Sequence, residues 1–258
     1  MSRTESFSLK ALAMAGVFAC HCFDFINYWG FLFVSVFFFV SGYGLAGRNK
    51  TVLFRLPRLF VLWAFYLVIY ALVRPFTFYL PHLWFLILYC LVLLFYRFVP
   101  GIFENFLFVV FCSLCFWFLD FNFVWWSSFI AFPFGLYVRK YGFPFSSFFS
   151  LFFFPAFFLL IFGFPVRWFM VLAFISFLWH FRSFVSFLAP LGLISDHFYF
   201  IHFFALYLCG VQLAPGSFSF PLYLGIPLAL ILSFSYAVFF RYFFSFVLKK
   251  NIVLSKFF

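Results

Sequence analysis

Residues 29–46 read WGFLFVSVFFFVSGYGLA, an apolar run without a single charge from Trp29 to Ala46. A run of this length suits hydrocarbon, where about 20 apolar residues cross as one helix. The rest of the chain repeats the pattern. Of 258 residues, 69% are hydrophobic, 8% are charged and 59 are phenylalanine, with a mean hydropathy of +1.21. Soluble domains carry about 25% charged residues, so this composition cannot cover a globule with polar surface. A soluble enzyme with a membrane anchor, a secreted disulfide scaffold and a disordered tail are thereby set aside. The fold class expected is all-α: a polytopic transmembrane helical bundle forming one domain over residues 1–258, set in a cell membrane with the lipid bilayer as its main partner.

Charges, Pro/Gly clusters and polar aromatic breaks divide the chain into roughly ten spans. They run Leu9 to Ile26, Trp29 to Ala46, Leu56 to Val73, Leu83 to Phe98, Phe103 to Leu119, Phe121 to Val138, Ser146 to Phe162, Val166 to Trp179, Phe187 to Cys209 and Leu222 to Val247. With the N-terminus inside, 14 of the 16 Lys and Arg residues fall on the inner side, and only Arg74 and Arg167 fall outside. This asymmetry predicts an even number of spans and cytoplasmic termini. The net charge of +11 is spread singly or in pairs between apolar runs, so it reads as topology signal and not as a nucleic-acid surface. Arg3 and Lys10 precede an apolar run that continues into further spans, which favours a retained first span over a cleaved signal. The six cysteines all lie in apolar stretches and read as buried small hydrophobes.

Ionisable groups are expensive in hydrocarbon, about 2.5–3.5 kcal/mol at a helix centre, so each one asks for a reason. His21 stands eleven positions after Lys10, roughly 16 Å along a helix, and Asp24 follows at i+3 on the same face. Two readings stay open: a general base oriented by a carboxylate, or a buried histidine satisfied by a neighbour with Asp24 wetted at the outer boundary. Arg55 and Arg58 bracket Pro57 at the expected start of the third span. They suit a phosphate-bearing cytoplasmic ligand at a helix N-terminus or, equally, anchor the topology. Ser195, Tyr199 and His202 share one helical face in the ninth span, with Asp196 beside it and His197 pointing elsewhere. They line a cavity or hydrogen-bond between helices. Ser41 and Gly42 permit close helix approach or close backbone approach to a ligand. Cys20, His21 and Cys22 are successive helical residues about 100° apart and cannot converge on one ion, and Cys112 and Cys115 have no nearby histidine, so no metal is expected. Glu5 attracts no role.

In order along the chain these features resemble the acyltransferase-3 family of integral membrane O-acyltransferases. The motifs are Lys10 to His21, Phe39-Val40-Ser41-Gly42-Tyr43, Arg55 with Arg58, His82-Leu83-Trp84-Phe85-Leu86, and Ser195 to His202. Asp196 departs from the family pattern, which has an aromatic there. The resemblance covers residues 9–90 and 190–205 and is weak between them. It implies transfer of an acetyl group from cytoplasmic acetyl-CoA to a hydroxyl of a cell-envelope glycan or lipid-linked sugar. It implies His21, with Asp24 and His202, at the catalytic position. Lys10, Arg55, Arg58, Ser41 and Gly42 would stand at the donor site. The competing reading is a multi-span transporter or flippase component, because intramembrane Asp and His also serve proton relays.

Overall fold

In the computed structural model the described residues are 1–23, 29–47, 52–73, 83–98, 127–143, 164–211 and 221–250. Among them there is no strand. The main helices are α1 (Arg3–Cys22), α2 (Gly30–Leu45), α3 (Val52–Val73), α4 (Leu83–Phe98), α5 (Ala131–Tyr141), α6 (Phe164–Phe181), α7 (Ser195–Leu208) and α8 (Leu222–Lys250). A 3-10 turn, Phe184–Leu188, and a single helical turn, Ala189–Gly192, join α6 to α7.

Local chemistry explains several of these boundaries. Ser2 and Glu5 form a reciprocal capping box at the start of α1: Glu5 N–H donates to Ser2 Oγ at 3.2 Å, and Ser2 N–H donates to Glu5 Oε2 at 2.5 Å. At the end of α7, Gly210 takes φ 65°, its N–H donates to Tyr207 O, and Val211 N–H donates to Leu206 O. That is a Schellman stop, which needs a residue able to adopt left-handed backbone. The segment expected as one span from Phe187 to Cys209 is broken. Pro190 and Gly192 interrupt regular helix, and α7 begins only at Ser195.

α2 is apolar on all sides and is accordingly the buried centre of the bundle, with Phe31, Phe38, Phe39 and Leu45 almost fully enclosed. Its tightest contact is with α5. A Cβ added at Gly42 would lie 2.1 Å from Phe132 O, and one at Gly135 would lie 2.2 Å from Phe39 O. The two backbones touch because neither glycine has a side chain. The Ala189–Gly192 turn lies equally close to α1, where a Cβ on Gly192 would meet Phe7 O at 1.8 Å.

The helices run in both senses, α1 and α7 one way and α2, α4, α5 and α6 the other. Gly30 at the start of α2 lies near Cys20 at the end of α1, and Tyr96 near the end of α4 donates to Leu45 O at the end of α2. Ser128 just before α5 bonds Phe31 O, while Arg139 at its end reaches Tyr43. One end of the bundle thus gathers Arg3, Lys10, Arg97, Arg139, Arg182 and Arg241. Arg167 sits at the opposite end of α6, about 18 Å along its axis from Trp179, which packs on Tyr43.

The helical class is established; a count of ten spans is not. Among the described residues one helix, Tyr223–Phe246, is long and apolar enough to cross a membrane by itself. A second qualifies if Met170–Phe181 and Phe184–Gly192, which meet at a bend of 87°, make one span. The reasons are local. α2 has 16 residues, the first half of α1 is polar, and the ninth segment is interrupted. The expected spans 103–119 and 146–162 lie outside the described residues, as do residues 121–126 of the span 121–138. Large apolar side chains nonetheless face outward in number. Only 22% of the apolar window of α8 is buried, and Tyr223 and Tyr242 are 76% and 72% exposed.

Candidate functional site

A cavity of about 530 Å³ opens at the basic end, between α1, α2, α3, α4, α7 and α8. Its cations are Arg3 and Lys10 from α1 and Arg241 from α8, and its acid is Asp196 in the first turn of α7. Lys10 Nζ stands 3.6 Å from Asp196 Oδ1, with side chains 24% and 37% exposed. A carboxylate at that position is also favoured by the positive end of α7. Arg241 donates to the Leu193 carbonyl from α8. Apolar walls come from Phe37, Val40, Leu62 and Phe244. A site with charged groups at one side and an apolar wall at the other suits an amphipathic ligand with an anionic head.

Neutral polar groups complete the lining. Ser41 of α2 and Tyr89 of α4 share a hydrogen bond. His197 Nδ1 lies 3.0 Å from Tyr66 Oη, which ties α7 to α3. Tyr199 lines the cavity too, with its ring 5.5 Å from that of Phe37.

Tyr199 also reaches toward the far end, its ring centroid 5.9 Å from that of His202. His202 is almost fully buried, and His21, in the last turn of α1, stacks on it with centroids 5.4 Å apart and planes at 28°. His202 Nδ1 is 2.8 Å from Tyr199 O and 3.3 Å from Phe198 O. A carbonyl only accepts, so Nδ1 carries the proton and the neutral ring keeps its lone pair on Nε2. Phe203 covers His21 at 4.2 Å between ring centres. The two histidines, expected in separate spans, meet at one place, and their neighbourhood is aromatic.

The other expected site residues divide. Lys10 and Ser41 line the cavity. Gly42 does not: it is spent on the contact with α5, and Gly44 lines the cavity instead. Asp24 lies outside the described residues, as do His82, Cys112 and Cys115. Arg55 and Arg58 fall on α3, whose start at Val52 puts Pro57 in the second turn. The free backbone N–H groups of that helix therefore belong to residues 52–55, ahead of the position expected. Leu59, one residue beyond Arg58, lines the cavity. Ser195 leaves the expected polar stripe, because its Oγ donates to Gly192 O at 2.8 Å and serves the helix start.

Sequence reasoning missed Arg3, Arg241, His197 and the role of Asp196 in the cavity. Glu5 was missed as well. Its Oε1 lies 3.1 Å from Arg182 Nε and accepts from Ser183 Oγ at 3.1 Å, binding α1 to the turn after α6. Burial opposes ionisation of Glu5, but hydrogen bonds from Ser2 and Ser183 and the Arg182 charge outweigh it, and the carboxyl is held below its ordinary value. The Ser2-x-x-Glu5 spacing was the available signal. No family model, no curated protein and no solved structure matches the chain.

Proposed function

We propose that this chain is a multi-pass membrane O-acyltransferase. It takes an acetyl group from coenzyme A at its basic, cytoplasmic end and passes it to a hydroxyl of an envelope glycan or lipid-linked sugar at its histidine end. In this reading the bundle has about ten spans, with both termini on the cytoplasmic side of a cell membrane, and the outward-facing aromatics of α8 meet lipid.

One observation carries the proposal: the same two helices, α1 and α7, hold the Lys10–Asp196 ion pair at one level and a stacked histidine pair at another, with Tyr199 between. Lys10 and His21 are eleven residues apart, roughly 16 Å along α1. A donor whose charged head and reactive thioester are separated by a long arm matches that spacing. Arg3, Lys10 and Arg241 would hold the phosphates, joined by Arg55 and Arg58 from α3. The stacked histidines would serve the reacting hydroxyl. His21 accepts its proton as the oxygen bonds to the acetyl carbon. The carbon–sulfur bond then breaks, and the coenzyme A thiolate leaves and takes up a proton. The fixed tautomer of His202 and the aromatic surroundings orient the pair and exclude water.

The test is labelled acetyl transfer to envelope acceptor by the purified chain, read by mass spectrometry, beside His21→Ala. The wild type is expected to modify the acceptor and the variant to lose this while still binding coenzyme A. Full transfer by a normally inserted His21→Ala protein would overturn the assignment. Substrate movement without any acetylated product would favour a transporter.

A further inference from the structure

Among the described residues three cations line the cavity, and they are not equivalent. Arg3 lies over the Phe7 ring at 5.5 Å, and Arg241 donates to the Leu193 carbonyl. Both partners are neutral, so each guanidinium keeps its full charge toward the cavity. Lys10 differs: its ammonium faces the Asp196 carboxylate at 3.6 Å. Asp196 is the one acid among the cavity-lining residues described. Both side chains remain partly exposed to the cavity, so the pair is reachable by a ligand.

An ammonium engaged by a carboxylate has less field to offer a second anion until the carboxylate moves aside. We propose that Asp196 is an internal counter-ion: it holds Lys10, and a phosphate group of the ligand displaces it. The consequence is selectivity. A monovalent anion such as acetate replaces one carboxylate by another and gains nothing. A polyanion that engages Arg3 and Arg241 at once can also take Lys10. The pair therefore filters for ligands carrying several negative charges. This inference rests on the proposed reading of the cavity as an anion site, and it goes beyond that reading by assigning an acid a role in binding an anion.

The test is equilibrium binding of inorganic pyrophosphate, acetate and coenzyme A to the full chain in lipid nanodiscs. Asp196→Asn is expected to tighten pyrophosphate about 3–10-fold, as release of Lys10 from its counter-ion does, and to weaken the discrimination against acetate. Lys10→Met is expected to weaken pyrophosphate binding by a similar factor. In the Lys10→Met background the gain from Asp196→Asn is expected to fall below about twofold, since the two residues act as a coupled pair. Asp196→Glu, which keeps the charge, should bind as the wild type does and serves as the control for folding. Unchanged or weaker pyrophosphate binding in Asp196→Asn overturns the inference, as does an equal gain with and without Lys10. Pyrophosphate binding that follows the expected pattern, without coenzyme A binding, leaves the counter-ion standing and removes the donor reading. Coenzyme A binding indifferent to Asp196 does the reverse. Binding of neither probe by any variant sinks the inference.

Discussion

The two ends of the α1–α7 pair are built on different principles. At the basic end, interactions are numerous, partly exposed and individually modest: Lys10 with Asp196, Glu5 with Arg182, Arg241 with a carbonyl. Partly exposed ion pairs contribute about 0–1 kcal/mol each, so this end gains charge without depending on any single contact. At the far end the described polar groups are few and buried among rings, and His202 is fixed by backbone carbonyls from its own helix. There a single group carries much more. In the proposed reading, binding is distributed across the basic end and chemistry is concentrated at the histidine end.

The sharpest way to break this contrast is at His21. Loss of a general base lowers rate by about 10²–10⁴-fold, so His21→Ala should abolish measurable transfer while leaving coenzyme A affinity within about twofold of wild type. A loss of both together would mean that the two ends are not separable. Next in size is the contact that holds α2 in place. Gly42→Val drives a side chain into the α5 backbone, where overpacking costs about 1–3 kcal/mol, and should lower the melting temperature in detergent without altering the pH dependence of transfer.

Smaller effects belong to the basic end. Arg3→Gln with Arg241→Gln should weaken coenzyme A binding about tenfold, roughly 1.4 kcal/mol, and flatten its salt dependence, with little change in rate at saturation. Arg55→Ala with Arg58→Ala is expected to add a separate loss, measured by the same titration. The smallest is Glu5→Gln, at about 0.5–1 kcal/mol. Because the folded Glu5 carboxyl is held below its ordinary value, its contribution is present above the unfolded value and disappears as pH falls through the folded one. Thermal melts from pH 7 down to pH 3 should therefore converge for wild type and Glu5→Gln at the acid end and differ at neutral pH.

Much of the helical layout was readable because apolar runs and breaks are local signals. The run from Leu83 to Phe98 was bounded as α4 is, and Trp29 to Ala46 encloses α2 within one residue at each end. His21 and His202 were singled out because a polar group in hydrocarbon demands a reason, and Lys10 and Ser41 because they stand in motifs of the resemblance. What periodicity could not supply is which face of one helix meets which face of another. Asp196 and His197 were judged against the stripe on their own helix, yet the cavity they line is shaped by α1, α3 and α8. Arg241 and Arg3 were absorbed into a count of topology anchors, and nothing within α8 or α1 separates an anchor from a ligand contact. Gly42 carried two compatible meanings until α5 was seen against it. The broken segment before α7 was the avoidable miss, since Pro190 and Gly192 were in plain view.

The glycine contact between α2 and α5 bears on the cavity in a mechanical sense. Where two backbones touch, no rotamer can give way and no side chain can slide, so α2 is seated at a fixed height and rotation. Ser41, the residue before Gly42, is thereby held where it meets Tyr89, and that wall of the cavity acts as a datum. The opposite wall is α8, whose outer surface no other described helix covers. A larger occupant would be accommodated on the α8 side, with the distances measured from α2.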